Sequence, residues 1–593
     1  MSDSGPAGTG AGPGRLGRVA AEVFGWSELR PGQAEAMRQV MDGRDTLVVM
    51  PTGAGKSAVY QVPAVLLPGP AVVVSPLVAL QKDQVEGLSE SGAPDAVAVN
   101  SGQAAAETAE AWRAVREGDA EYLLLSPEQL AKDEVVERLA RAGPSLFVVD
   151  EAQCVSSWGH DFRPDYLRLG HVVRRLGHPT VLALTATAAP PVRDEIAERL
   201  GMDDPARIVA GFDRPNLRLE VRAGFRDDEE KRRAVVERAA GEPKPGIVYT
   251  ATRREAEEYA ERLAGLGLRA LPYHAGLRAA ERSRAHDAFL GGGLDVVAAT
   301  SAFGMGIDKP DVRFVLHASV PDSPDAYYQE IGRAGRDGAP ALAVLHYRPE
   351  DLGLRRFFSG GRPDTGTLAD VAGRIRRHGS PLPTARLREL TGLPAGRLTA
   401  AVNLLEEAGA VTVTAAGELL PAGDLDPREA ADRAAGAAEA RRGLERSRLE
   451  MMRGYAETTG CRRRFLLGYF GEEYEPPCGG CDICAAAKAH GGDREEFGRL
   501  ARERGEDAGE APRPDAGRFR TGARVLHREW GEGMVMSEEE DRITVLFDAA
   551  GYRALSLEAV TGQGLLTLAG KDRGDGRNGK GGGDGKGGEE SGG

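Results

Sequence analysis

Positive charge is what this chain is short of: 90 Asp and Glu outnumber 76 Lys and Arg, leaving −14 at neutral pH. A uniformly basic nucleic-acid binder is thereby excluded, although a local basic channel is not. Long hydrophobic runs are missing as well. None approaches the roughly 20 residues that a membrane span needs, and the Gly/Ala/Ser-rich stretch 1–14 has no apolar core for a signal peptide. The expectation is a cytoplasmic protein with a disordered N-terminal tail and no membrane association. Cysteine is scarce, at 5 in 593 residues, and four of the five fall within Cys461–Cys484. That excludes a disulfide scaffold and favours a metal site. With hydrophobic residues at 41%, a chain of this length can bury the cores of about four domains.

What is present is a phosphate cradle. Leu47-Val48-Val49-Met50 reads as a buried strand, and it breaks into Pro51-Thr52-Gly53-Ala54-Gly55-Lys56-Ser57 before helix formers resume. In such a turn the backbone N–H groups and the helix dipole face an anion. Lys56 reaches the β/γ-phosphates of ATP, the Ser57 hydroxyl ligates Mg²⁺, and Thr52, Gly53 and Gly55 shape the loop. Met50 stands where the strict pattern has its first glycine. About 20 residues upstream, Gln33 can read an adenine edge through its amide, and Trp26 and Arg30 can sandwich the base.

Apolar strands then alternate with helical stretches, each strand closing in a short polar motif, which implies a parallel sheet with ligands at the strands' C-terminal ends. Asp150 would hold Mg²⁺ and Glu151 would orient and deprotonate the attacking water. A second βα series begins near Gly211 and ends in Gln329-Glu330-Ile331-Gly332-Arg333-Ala334-Gly335-Arg336 without a second phosphate loop. Nucleotide is therefore expected in a cleft between two α/β domains. Arg333 and Arg336, three apart on one helix face, would reach the γ-phosphate across it.

From about Gly25 to Cys484 the chain resembles the RecQ family of superfamily 2 DNA helicases. The most specific stretch is Asp150-Glu151-Ala152-Gln153-Cys154-Val155-Ser156-Ser157-Trp158-Gly159-His160-Asp161-Phe162-Arg163-Pro164, and Phe212-Asp213-Arg214-Pro215-Asn216-Leu217 also matches. The resemblance implies two RecA-like parallel-sheet domains, 15–210 and 211–360. It adds Asp308 to the nucleotide set, and makes Trp158 and Phe162 stacking faces for single-stranded DNA with Arg163 as a phosphate contact. Ser75, Ser126, His274 and Thr300 join the DNA set. It further implies 3′→5′ movement on single-stranded and forked DNA, in recombination and repair at the nucleoid. The family's usual Asp-Glu-Ala-His is broken here by Gln153, which hydrogen-bonds but does not titrate. A DEAD-box-like RNA helicase and a non-catalytic DNA-binding scaffold are the rival readings. The aromatic loop and the cysteines oppose the first, and the intact Lys56, Asp150, Glu151, Arg333 and Arg336 oppose the second.

Beyond the core, 361–430 reads as a winged-helix-like segment or a helical spacer. Region 431–490 brings Cys461 together with Cys478, Cys481 and Cys484, four thiolates for a closed Zn²⁺ site, with an iron–sulfur cluster as the alternative. The family resemblance favours zinc. A charged linker, 491–516, leads to a five-stranded Tudor/SH3-like barrel, 517–569, similar to the C-terminal domain of UvrD/PcrA helicases, and 570–593 is a disordered Gly-rich tail. Val525, Val535, Val545 and Phe547 are its expected core. A small barrel on a flexible linker suggests recruitment of a protein partner, with RNA polymerase the candidate by that similarity.

Overall fold

The computed structural model describes residues 13–76, 78–100, 102–156, 163–304, 307–353, 363–414, 418–489, 519, 523–538, 542–547 and 550–568. The expected tail 1–14 lies almost wholly outside them, its last two residues opening the first helix, Pro13–Phe24. The linker 491–516 and the tail 570–593 lie outside the described residues altogether.

The first lobe is a seven-stranded parallel sheet of β1 (Thr46–Val49), β2 (Ala71–Val74), β3 (Asp95–Val99), β4 (Ala120–Leu125), β5 (Leu146–Val149), β6 (Thr180–Thr185) and β7 (Ala206–Val209). Their order is β3-β4-β2-β5-β6-β1-β7. β1, β2 and β5 are buried along their whole length. That burial is why they read as unbroken aliphatic runs: helices cover both faces, so neither face needs polar residues. The second lobe repeats the plan with β8 (Leu217–Arg222), β9 (Gly246–Tyr249), β10 (Ala270–Tyr273), β11 (Val296–Ala299), β12 (Phe314–His317) and β13 (Ala341–His346), all parallel, in the order β10-β11-β9-β12-β13-β8. β8 is an edge strand. The cysteine region covers its outer side, where Leu219 N donates to Gly480 O at 2.9 Å and Leu219 bridges to Cys481.

Residues 363–425 hold three helices, Thr365–His378, Thr384–Thr391 and Ala395–Glu407, and a small antiparallel sheet. Its strands are β14 (Leu382–Pro383), β15 (Val411–Val413) and β16 (Glu418–Pro421), ordered β14-β16-β15. This element order is that of a winged helix, and the unit rests on the first lobe through an ion pair between Arg168 and Glu406. The expected boundary at 430/431 falls inside one helix, Pro427–Glu457. Ala430, Ala431 and Ala434 at its start pack into the winged-helix core, whereas Leu449, Met452 and Tyr455 pack with the second lobe and the cysteines. The one helix therefore belongs to both units, its start to the winged-helix core and its end to the cysteine region.

The C-terminal unit is antiparallel: β17 (Arg524–His527), β18 (Gly531–Glu538), β19 (Arg542–Phe547), β20 (Gly551–Ser556) and β21 (Leu566–Leu568), ordered β20-β19-β18-β17-β21. Val525, Val535, Val545 and Phe547 form its core with Phe519, Ile543, Val560 and Leu566. It does not stand apart from the two lobes. Met536, Leu546 and Tyr552 pack in one apolar cluster with Met451, Leu467, Tyr469 and Phe470. Among the described residues, no helix is long and apolar enough to cross a membrane.

Candidate active site

The phosphate loop is the turn between β1 and helix Ala58–Ala64. Gly53 and Gly55 take φ of 79° and 74°, a left-handed backbone that glycine adopts without Cβ strain. Lys56 lies along the loop and donates to Met50 O at 3.2 Å. Burial lowers its ammonium below the ordinary lysine range, against the raising pull of Glu151 and Asp150. Gln33 is docked on the same loop. Its Nε2 donates to Ala54 O at 3.0 Å and Gly55 O at 2.9 Å, while its Oε1 accepts from Arg30 N at 2.7 Å. Arg30 donates in turn to Gly53 O. Trp26 stacks on Phe24, centroids 4.7 Å apart, which covers one face of its ring.

Asp150 directly follows β5, and Glu151 comes next with φ 49° and ψ 48°, a strained conformation for a residue with a Cβ. Burial and then the Glu151 carboxylate push Asp150 up to about 6, against the lowering effect of Lys56. A divalent cation held by Asp150 would relieve both its burial and the repulsion from Glu151. Gln84 Nε2 lies 3.4 Å from Asp150 Oδ2. Gln153, 1% exposed, links two motifs: Nε2 donates to Glu151 Oε2 at 2.8 Å, and Oε1 accepts from Thr185 Oγ1 at 2.6 Å.

Across the cleft, Thr52 Oγ1 is 3.4 Å from Gly332 O, and a Cβ on Gly53 would meet the Arg336 stem at 3.3 Å. The lobes thus touch at the loop. Arg336 is paired with Asp308, and burial lowers its guanidinium from the ordinary range, helped by Arg333. The two arginines do not share a helix face. Helix Pro324–Ile331 ends before them, and both lie in the turns that follow, with Gly335 between them at a left-handed φ of 60°. Consequently they diverge: Arg336 faces the phosphate loop, whereas Arg333, 3% exposed, lies against Gly304 within its own lobe. Arg214 braces this segment by donating to the carbonyls of Gly332, Ala334 and Gly335 at 3.3, 2.9 and 3.0 Å. Asn216 adds bonds to Gly335 O and Ala339 O.

The Sγ atoms of Cys461, Cys478, Cys481 and Cys484 all lie within 4.8 Å of one another. The Cys478–Cys484 separation is 3.8 Å, the edge of a tetrahedron with metal–sulfur bonds of about 2.3 Å. One Zn²⁺ ion fits this spacing; a cluster, with a separate iron behind each thiolate, does not. The module is tied to the second lobe by Arg463, which donates to Asp213 Oδ1 at 2.8 Å and Leu217 O at 2.6 Å. It also reaches the interlobe crossing, where Phe470 stacks on Phe212 at 4.5 Å and Arg193 donates to Phe470 O at 2.8 Å.

Three family models match in sequence: DEAD/DEAH box helicase over residues 30–196, Helicase conserved C-terminal domain over 230–338, and RecQ zinc-binding over 426–485. The probable ATP-dependent DNA helicase RecS of Bacillus subtilis is 35% identical over 476 residues, covering 79% of this chain and 91% of RecS. The chain belongs to the RecQ family of ATP-dependent DNA helicases. The ATP-dependent DNA helicase RecQ of the same organism is 43% identical, covering 58% of each chain, and RecQ of Haemophilus influenzae is 33% identical, covering 79% of this chain and 63% of the relative. The chain thus spans about three-fifths of these RecQ proteins. The DNA-bound structure of the DUF1998 helicase MrfA aligns with a TM-score of 0.49 at 18% identity, over 70% of this chain and 59% of that one.

In this RecQ-family chain the expected DNA residues share one placement. Ser75, Ser126, His274 and Thr300 are each the first residue past a strand, β2, β4, β10 and β11. Ser75, Ser126 and His274 are buried, and His274 Nε2 sits 3.2 Å from Glu257 Oε1. Arg163 Nη1 donates to Pro76 O at 3.0 Å, tying the aromatic-loop exit to the segment after β2. Trp158 and Phe162 lie outside the described residues. Gln84, Thr185 and Arg214 also line the site without having been singled out from the sequence. Thr185 carries a signal as the polar end of an apolar strand, and Arg214 through its place in the family-like Phe212–Leu217 stretch; Gln84 carries none.

Proposed function

We propose that the protein is a 3′→5′ DNA helicase that couples ATP hydrolysis to translocation on single-stranded DNA and opening of forked duplex. The observation that supports this most is the contact of Thr52 and Gly53 with Gly332 and Arg336, which puts a second-lobe cation at the mouth of a phosphate loop in the first. Lys56 and the loop amides would hold the phosphates, Ser57 and Asp150 would hold Mg²⁺, and the metal would supply neutralisation of developing charge. Glu151, oriented by Gln153, would take the proton of the attacking water. Arg336 would stabilise the transferring phosphoryl group, and Arg333 would support the turn behind it. Since Arg336 belongs to the other lobe, hydrolysis becomes sensitive to how the lobes sit. Duplex opening costs about 1.4 kcal/mol per base-pair step, so each advance needs that sensitivity.

Ser75, Ser126, Arg163, His274 and Thr300, with Trp158 and Phe162, are the proposed DNA-facing set, stacking contributing roughly 1–3 kcal/mol per base. Repair and recombination at the nucleoid are the roles that the family resemblance implies. A protein partner for the barrel, RNA polymerase by its likeness to UvrD/PcrA, rests on that likeness alone. The deciding experiment compares ATPase stimulation by single-stranded DNA and by RNA of matched length. Strong stimulation by DNA alone supports the proposal; equal stimulation by RNA, or none by either, refutes it.

A further inference from the structure

The C-terminal antiparallel unit, the expected barrel, meets the rest of the chain at a buried polar contact, and that contact leads to the active site. Asp325 lies in the first turn of helix Pro324–Ile331 and is 3% exposed. Tyr469, the last residue of helix Arg462–Tyr469, donates its phenol to Asp325 Oδ2. Tyr552 of β20, itself 4% exposed, stacks on Tyr469 with centroids 5.1 Å apart and planes at 27°. Burial first, and then the Asp325 charge, raise both phenols above the ordinary tyrosine range, so both remain protonated donors.

Two further contacts fix the barrel beside this stack. Gly551 has φ 71°, and a Cβ built on it would stand 2.5 Å from Ser447 Oγ and 3.0 Å from Ser447 Cβ. Backbone approaches helix this closely only because one side has no side chain and the other a small one. Arg464 Nη2 donates to Glu538 O at 2.7 Å. A tether that merely carries a recruitment module would need none of these.

Helix Pro324–Ile331 runs directly into the turns that carry Arg333 and Arg336. Its eight residues make a rod of about 12 Å, so a shift at Asp325 is delivered at the arginines. We infer that the barrel is a working part of the motor: through Tyr552, Tyr469 and Asp325 it holds the arginine-bearing segment in register with the phosphate loop. Tyr552 and Tyr469 are positioning residues, since neither touches nucleotide. Without Tyr552 the Tyr469–Asp325 bond opens to water, where such a bond contributes less and holds its geometry less firmly.

The inference rests on the ATPase reading above, and the test separates the two. In the full chain, Tyr552→Ala and Ser447→Arg are compared with Tyr552→Phe and wild type. Ser447→Arg undocks the barrel from the helix side and leaves the barrel's own core untouched. The readouts are kcat and KM for ATP under saturating single-stranded DNA, with melting and zinc content confirming a folded motor. Tyr552→Ala and Ser447→Arg should each lower kcat about 10-fold with KM within about twofold, because a misplaced arginine costs the transition state and not the resting complex. Tyr552→Phe, which keeps the stack, should match wild type. Should both disruptive variants keep wild-type kcat, or should kcat and KM move together, the barrel is not a positioning element. No DNA-stimulated hydrolysis by the wild-type chain would instead overturn the ATPase reading, and the inference with it.

Discussion

Gln153→Leu keeps the volume of a buried side chain and deletes its amide. Two bonds go with it, the 2.8 Å donation to Glu151 Oε2 and the 2.6 Å acceptance from Thr185 Oγ1. Thr185 loses little, because its hydroxyl has a second acceptor in Thr187 O at 2.9 Å. Glu151 loses a charge-assisted bond, a class that contributes about 1.5–3 kcal/mol. Its backbone is already held in a left-handed conformation, so the carboxylate depends on such partners for its pose. If that bond orients the base only when water attacks, kcat should fall about 10- to 100-fold, at 1.36 kcal/mol per decade. The KM for ATP should move less than about twofold, since the side-chain hydrogen bonds of Gln153 run to Glu151 and Thr185. Gln153→His should stay active, because a neutral imidazole can donate to Glu151 and accept from Thr185. Its rate should also gain a limb that falls as pH drops through the imidazole range, absent from wild type. Steady-state ATPase with saturating single-stranded DNA from pH 5.5 to 8.5 reads all of this. A Gln153→Leu kcat within twofold of wild type would refute the reasoning.

Lys56→Ala should abolish ATP hydrolysis while single-stranded DNA affinity stays within about twofold by fluorescence anisotropy, since cradle and DNA face are separate. Measurable turnover in that variant would displace Lys56 from the site. One zinc per chain should be found by atomic absorption, and Cys481→Ser should lose it together with much of the stability of 430–489, structural zinc contributing on the order of 10 kcal/mol in small domains. Retention of stoichiometric zinc by that variant would refute the four-thiolate site. Burial pushes the His346 imidazole down to about 3, so as pH falls below its unfolded value near 6.5 only the unfolded chain takes up this proton. Stability from this group is therefore intact above that value and lost by up to about 1.4 kcal/mol per unit as pH falls toward 3. Urea unfolding at pH 7 and pH 5 should show a shallower loss in His346→Phe than in wild type, and equal losses would contradict the burial argument.

Local spacing makes much of the site legible in the sequence. The phosphate loop, Asp150-Glu151 and the four cysteines each carry their chemistry within a few residues, and the structure brings each set together. Arg333 and Arg336 fail at the same range: a period-three argument presumes a helix, and the helix ends at Ile331, before both. What spacing cannot show is which partner completes a side chain. Gln153 stands out as a departure from the family pattern, but Thr185, its partner on a neighbouring strand, is 32 residues away. The docking of the C-terminal sheet is hidden for the same reason. Tyr469, Tyr552, Ser447 and Gly551 are ordinary residues until helix and strand meet.

The bridge between Leu219 and Cys481 has a consequence outside catalysis. β8 pairs with β13 on one side only, and on the other it would present open N–H and C=O groups flanked by the apolar Leu217, Leu219 and Val221. Such a strand is a template for pairing with another chain. The thiolate loop occupies that template, with Val221 N also satisfied by Asp482 Oδ2 at 3.0 Å. Zinc held by the four thiolates would therefore act as a seal on the second lobe. A chelator or oxidant that opens the thiolate site frees a sticky edge, and the protein should precipitate before its lobes unfold.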